Sequence, residues 1–528
     1  MSKNTIIKGT IILTLAGLAT RILGFFYRVY LSNVLGAEKL GIYQLVFPIY
    51  GICFTLYAGG IQTAISKLIA AEQGRILSMP VFPPDSREML ASMESRQKQC
   101  RPNNMRKILS TGLLCSVSIA LCLSFLLYNN ADLIAGRILL EPECASSLRV
   151  LSFVFPFCGI TACINGYYFG LKKTGVPAAT QLFEQIVRIL SVYLIAMYFG
   201  KGDQSVTCEL AVLGVVFGEI ASNIYNIGSF FFTKNPGGPP TGEKVLKPLA
   251  KLSLPLMGNR LLINVLHSFE AILIPSMLKK SGLSSSDALG IYGILTGMSI
   301  PFILFPSTIT NSLATVLLPA ISEANAGGNH KMIDHTTSIS VKYSLIIGIF
   351  STGVFMLFGE SIGEVFFHNE MAGRFLVTLS WLCPFMYLTT TLGSIINGLG
   401  KTHLTFFNTV IGLSIRILFV LYLVPQQGIQ GYLTGLLVSE LSIGVLDCMA
   451  IYRTTHLSFD AVNWLVKPSI ILLVLGYLLK QSYSFLASAW TVNTFVLLVT
   501  FCIILLVLFL IFLLLTGTIS TKDFKNRA

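Results

Sequence analysis

Apolar runs of about twenty residues, separated by short polar stretches, fill nearly the whole chain. A run of that length matches a bilayer core about 30 Å thick. The pattern predicts an all-α polytopic membrane protein with about fourteen transmembrane helices. They fall near 9–33, 42–66, 108–128, 150–170, 177–199, 208–232, 252–278, 288–321, 340–359, 375–398, 404–424, 428–452, 466–483 and 492–516. The 288–321 run is long enough to tilt or break.

The pattern also repeats. Leu40-Gly41-Ile42-Tyr43 returns as Leu289-Gly290-Ile291-Tyr292, an offset of 249 residues. Residues 151–192 align without gaps onto 379–420, an offset of 228. Matches include Pro156-Phe157 with Pro384-Phe385, Gly170-Leu171 with Gly398-Leu399, and Arg188-Ile189-Leu190 with Arg416-Ile417-Leu418. The chain therefore reads as a duplicated six-helix unit followed by two further helices. Because six is even, both halves start on the same side and the repeat is parallel. The expected divisions are an N-terminal lobe at 1–232, a cytoplasmic linker at 233–251, a C-terminal lobe at 252–452, and the last two helices with a tail at 453–528. A polar, basic insertion at 71–107 accounts for most of the change in offset.

Composition agrees with lipid as the solvent: the 528 residues are 53% hydrophobic and 12% charged, against about 25% charged in soluble domains. The net charge of +13 is read through topology. With the N-terminus inside, 22 Lys/Arg fall in cytoplasmic segments and 7 outside, the other 8 of the 37 lying within spans. That bias predicts cytoplasmic N- and C-termini and a multi-pass protein of the cytoplasmic membrane. It is not a nucleic-acid signal. The first apolar run contains Arg21 and reads as a retained helix rather than a signal peptide.

Ionisable residues within spans cost at least about 2.5 kcal/mol each on insertion scales, so each needs a reason. Arg21 and Arg28 lie two turns apart on helix 1, on a stripe with Thr14, Gly17 and Gly24. Arg260, Asn264 and His267 form a similar face on helix 7, the repeat partner of helix 1, with Glu270 about 80° around. Both stripes are candidate anion-binding walls of a water-filled cavity; the plainer alternatives are snorkelling for Arg28 and a self-satisfied buried network for helix 7. Each half also places an arginine and a carboxylate at one depth on consecutive helices: Arg188 with Glu219, and Arg416 with Glu440. These are candidate intra-lobe ion pairs or coupling-ion sites, and Glu184 at i−4 can also neutralise Arg188.

Gly398-Leu399-Gly400-Lys401-Thr402 resembles the end of a phosphate-binding loop, but Ile395 stands where its first glycine belongs. No nucleotide is expected, so the energy source is expected to be an ion gradient (Na⁺ or H⁺) or the membrane potential. The eleven cysteines are scattered through apolar runs, and no metal or other cofactor is expected. The loops are too short for an enzyme such as a glycosyltransferase.

The run Thr20-Arg21-Ile22-Leu23-Gly24-Phe25-Phe26-Tyr27-Arg28, with Lys8-Gly9-Thr10 and Ala64-x-x-Lys67 after Gly59-Gly60, resembles the multidrug/oligosaccharidyl-lipid/polysaccharide exporter superfamily. Its nearest branch is the polysaccharide-type flippases of Gram-positive bacteria, such as stage V sporulation protein B, related to the lipid II flippases. The resemblance spans essentially the whole chain. It implies two lobes, alternating access and a lipid-linked oligosaccharide as substrate, such as the undecaprenyl-pyrophosphate-linked peptidoglycan precursor lipid II. Arg21 matches the first arginine of the lipid II flippases' Arg-x-Leu-Gly-Phe-x-Arg pattern; Arg28 falls one residue late, and the acid those flippases carry early in helix 2 is absent. A drug exporter of the same superfamily is the alternative; helices offering arginines suit anions better than cationic drugs.

Overall fold

The computed structural model describes residues 3–78, 104–199, 207–232, 244–455, 459–489 and 493–519. The middle of the 71–107 insertion, much of the 233–251 linker and the basic C-terminal tail lie outside them. The main helices are α1 (Lys3–Phe54), α2 (Gly60–Ser78), α3 (Met105–Asn129), α4 (Cys144–Ser152), α5 (Val154–Gly170), α6 (Gly175–Phe199), α7 (Cys208–Phe232) and α8 (Leu246–Lys280). They continue as α9 (Ser285–Gly293), α10 (Ser307–Ala326), α11 (His330–Phe367), α12 (Glu370–Leu379), α13 (Cys383–Gly398), α14 (Thr402–Tyr422), α15 (Ile429–Tyr452), α16 (Lys467–Ala489) and α17 (Thr494–Leu515). Every regular element among the described residues is helical, as lipid demands of an open chain whose backbone must satisfy itself.

Among the described residues, twelve stretches are long and apolar enough to cross a membrane. The first, Ile12–Arg75, is 64 residues long, far beyond one crossing at 1.5 Å per residue. Gly36 interrupts it with a φ of 75°, a conformation that a side chain resists and glycine accepts. Two predicted spans thus join through one non-helical residue. The α4–α5 pair bends by 43°. Counting the first stretch as two crossings and the bent pair as one brings the total to the fourteen read from the sequence. The long 288–321 run does break: a π-helical turn occupies Ile294–Ser299, and α10 begins only at Ser307.

Packing divides the chain into two units, 1–24 with 45–268, and 25–44 with 269–528. Their boundaries fall inside helices rather than in the 233–251 linker, because α1 and α8 are long enough for their two ends to pack on different neighbours. The first unit's core gathers Ile61, Ile65, Ile69, Leu109, Tyr167 and Leu249. The second has a core around Leu317, Ile321, Leu345, Ile395 and Trp464.

Glu72 ties the two sides of the insertion together. Its Oε1 accepts from the Asn104 amide at 3.0 Å and from Arg75 Nη2 at 2.6 Å. The chain therefore leaves α2 and re-enters α3 at one place.

Candidate functional site

In the first unit, α8 docks on the second half of α1 through a polar row at four-residue spacing. Arg260 Nη1 donates to the Gly59 carbonyl at 2.7 Å. Asn264 Nδ2 donates to the Gly51 carbonyl at 3.2 Å and to Thr55 Oγ1 at 2.6 Å. Ser268 Oγ donates to the Pro48 carbonyl at 3.1 Å. The acceptors cluster around a π-helical turn, Thr55–Gly59. Such turns disturb the regular backbone ladder and leave carbonyls for side-chain donors. Helix 7's predicted polar face is thus partly spent on neighbouring backbone, and Ser268 joins it where only Arg260, Asn264 and His267 were expected.

Arg260 is not used up by this contact. Its side chain is exposed, and a guanidinium carries five N–H donors, of which one is committed to Gly59. No carboxylate pairs with it among the described residues. A β-carbon on Gly59 would stand 3.3 Å from Arg260 Nη1, so that glycine makes room for the guanidinium.

Arg21 belongs to the same unit. It is exposed and has neither a hydrogen bond nor an ion pair among the described residues. At the preceding position, Thr20 Oγ1 donates back to the Ala16 and Gly17 carbonyls, both at 3.0 Å. Arg28 is also exposed but falls in the second unit, so the two helix-1 arginines are divided between packing units. Arg28 and the exposed His267 both have interaction partners.

The two arginine–carboxylate sets differ. In the second unit, Arg416 on α14 forms an ion pair with Glu440 on α15, and a second at 3.4 Å with Glu270 on α8. Its Nε donates to Ser439 Oγ at 3.1 Å, and Tyr432 Oη donates to Glu270 Oε1 at 2.9 Å. Glu270 and Glu440 are buried. Glycines allow the close crossing: a β-carbon on Gly412 would stand 2.4 Å from Ile443 Cδ1. A second polar rung follows, Asn408 Nδ2 donating to Asp447 Oδ1 at 2.7 Å.

In the first unit, Arg188 pairs instead with Glu184 on its own helix, and no ion pair joins it to Glu219 among the described residues. This departs from the expected Arg188–Glu219 pair. The physical reason is proximity: Glu184 lies one turn away on the same helical face. At the repeat position the second half carries Gly412, so Arg416 has no such local partner and reaches across helices. Glu219 is 5% exposed; Ser222 Oγ donates to its carboxylate at 3.4 Å, and Cys158 is a second hydrogen-bond partner. Around it, Asn223 Nδ2 donates to the Phe157 carbonyl at 2.7 Å and to Thr161 Oγ1 at 2.9 Å.

The second unit also holds an apolar cavity of about 440 Å³. Phe302, Phe350, Phe366, Leu498 and Phe509 line it, so α11 and α17 form much of its wall.

The described residues thus form a helical protein with membrane-length spans and cationic side chains on them, and comparison with known proteins defines it further. The profile of the polysaccharide biosynthesis protein family matches residues 6–325, and that of the MatE family matches 261–422. The chain belongs to the polysaccharide biosynthesis protein family. It is 26% identical over 500 residues to stage V sporulation protein B of Bacillus subtilis, covering 92% of each chain. It is 22% identical over 499 residues to the lipid II flippase MurJ of the same organism, covering 89% of this chain and 86% of that one. Among solved structures, the inward closed conformation of lipid II flippase MurJ superposes with a TM-score of 0.67 at 16% identity, over 95% of this chain and 98% of that one. An inward-facing MATE family transporter of the MOP superfamily gives 0.63 at 14% identity, over 86% and 99%.

Proposed function

We propose that the protein is a flippase, not an enzyme, that moves an undecaprenyl-pyrophosphate-linked oligosaccharide across the bacterial cytoplasmic membrane by alternating access. Lipid II or a related cell-wall precursor is the favoured substrate. The observation that carries this reading is Arg260, supported by Arg21. Both are exposed guanidiniums on spans of one unit, and neither has a carboxylate partner among the described residues. A pyrophosphate supplies the missing negative charge, and the guanidinium fork binds such oxygens bidentately. The name of one relative, lipid II flippase MurJ, supports the same substrate class.

We read the orientation with both termini in the cytoplasm, from the positive-inside bias. No nucleotide takes part. Coupling is assigned to Glu219: a buried carboxylate held by a hydroxyl and a thiol changes its occupancy by H⁺ or Na⁺ at lower cost than carboxylates in ion pairs. The deciding experiment is a sided assay of labelled lipid II in proteoliposomes of the purified protein. Movement above that of protein-free vesicles supports the reading; movement equal to theirs overturns it.

The second reading, a cation-coupled drug exporter, rests on the MatE match over 261–422. It requires efflux of cationic dyes from vesicles, with Arg260 dispensable.

A further inference from the structure

A second apolar groove, of about 540 Å³, lies wholly in the first unit on the outside of α3, α5 and α7. Leu113 and Val117 of α3, Ile160 and Ile164 of α5, and Ile227 and Phe230 of α7 line it. The volume falls within the range of about 300–1,000 Å³ usual for ligand sites. All three helices belong to spans or to the bent span pair, so the groove opens to lipid. Leu114 and Phe231 at its edges are 71% and 79% exposed, as lipid-facing side chains are.

One end of the groove is polar. Ser110 is the only polar side chain among those lining it. One turn before Ser110 on α3 stands Arg106, which is exposed. Positions 106, 110, 113, 114 and 117 follow one helical stripe, so the arginine heads the same face that lines the groove. It also precedes the apolar run that begins at Ile108, which sets it at headgroup level while the groove runs on into the hydrocarbon. A cation at the interface end of an acyl-sized groove is complementary to a phosphate carrying a fatty chain.

We infer that this groove is a site for an anionic glycerophospholipid of the membrane, its acyl chain along Leu113, Ile164 and Phe230 and its phosphate at Arg106. The site is independent of the transported substrate and separate from Arg21 and Arg260. The bound lipid fills the outer surface over α5, on which α3 and α7 both pack.

The test uses the full-length chain reconstituted in phosphatidylcholine vesicles with and without phosphatidylglycerol, then extracted and washed in detergent, with retained lipid measured by mass spectrometry. The wild type retains phosphatidylglycerol in preference to phosphatidylcholine. Arg106→Ala lowers retained phosphatidylglycerol about fivefold, the effect of one interfacial cation on an anionic lipid, and leaves phosphatidylcholine unchanged; Arg106→Lys restores most of it. Ser110→Trp, at an exposed position, fills the polar end of the groove and expels retained lipid of both kinds, with the unfolding midpoint measured alongside. Three results overturn the assignment: undiminished phosphatidylglycerol in Arg106→Ala, undiminished lipid in Ser110→Trp, or displacement of phosphatidylglycerol by equimolar undecaprenyl phosphate, which makes the groove part of the substrate's route.

Discussion

Gly41 and Leu289 touch through their backbones: a β-carbon on Gly41 would stand 2.1 Å from the Leu289 carbonyl oxygen. The contact is reciprocal along the crossing. A β-carbon on Gly293 would stand 2.1 Å from the Ala37 carbonyl oxygen and 2.6 Å from the Gly41 nitrogen. Both copies of the Leu-Gly-Ile-Tyr repeat thus supply this crossing. In lipid, small residues stabilise helix pairs by letting backbones approach.

Gly41→Ala and Gly293→Ala are therefore expected to force the helices apart. Each should cost about 1–3 kcal/mol, the usual range for overpacking, seen as a lower unfolding midpoint in detergent. Gly17→Ala is the control, because nothing lies within 4 Å of its β-position. It should be neutral or stabilising, by up to about 1 kcal/mol from helix propensity. Equal midpoints for Gly41→Ala and Gly17→Ala would show that the crossing is loose.

The Arg416 cluster makes a graded prediction. Arg416→Ala strands two buried carboxylates, Glu270 and Glu440, and should cost on the order of 3–5 kcal/mol. Adding Glu440→Gln restores part of the loss, and adding Glu270→Gln restores more, since each step removes an unpaired charge. Tyr432→Phe removes a hydrogen bond to a charged group and should cost about 1.5–3 kcal/mol. Thermal unfolding of the series reads the order; a triple variant no more stable than Arg416→Ala would mean the charges are not coupled.

The contrast between the two clusters marks how far the sequence is legible. The spans, the repeat and the placing of Arg188 and Arg416 follow from apolar run length and internal alignment, which need no knowledge of packing. The Glu184–Arg188 pair is legible too, since i, i+4 spacing on a helix fixes proximity. Glu270 is different. It sits about 80° off the Arg260–Asn264 face, and its partner lies 146 residues away; only the packing of α8 against α14 and α15 brings them together. The π-helical turn at Thr55–Gly59 is likewise silent in the sequence, and it helps present the carbonyls that hold Arg260 and Asn264.

Glu219 separates stability from coupling. It has no ion pair to lose among the described residues, so Glu219→Gln should leave abundance and unfolding midpoint close to wild type. Transport in vesicles should lose its response to an imposed H⁺ or Na⁺ gradient. Glu184→Gln should do the reverse, lowering stability by removing its ion pair with Arg188. A gradient response that survives Glu219→Gln would move the coupling site elsewhere.

The functional claim turns on Arg21 and Arg260. Arg260 is held at one nitrogen by the Gly59 carbonyl, at 2.7 Å, which orients the fork and leaves its other donors open. Arg21 has no tether among the described residues. Removing either exposed side chain disturbs little packing, so Arg21→Ala and Arg260→Ala should be made at near-normal abundance. Both should abolish lipid II movement in the sided assay and weaken binding of a pyrophosphate-linked lipid. Arg260→Lys should recover only part of the activity, because an ammonium can meet Gly59 or the phosphate but lacks the planar fork that serves both. Gly59→Ala should act in the same direction as Arg260→Lys, since its β-carbon would crowd Nη1 at 3.3 Å. The control is Arg149→Ala, at a surface arginine paired with Asp132, which should flip at the wild-type rate. Wild-type rates in both Arg21→Ala and Arg260→Ala would make these arginines structural, and the anion-binding reading would fall with them.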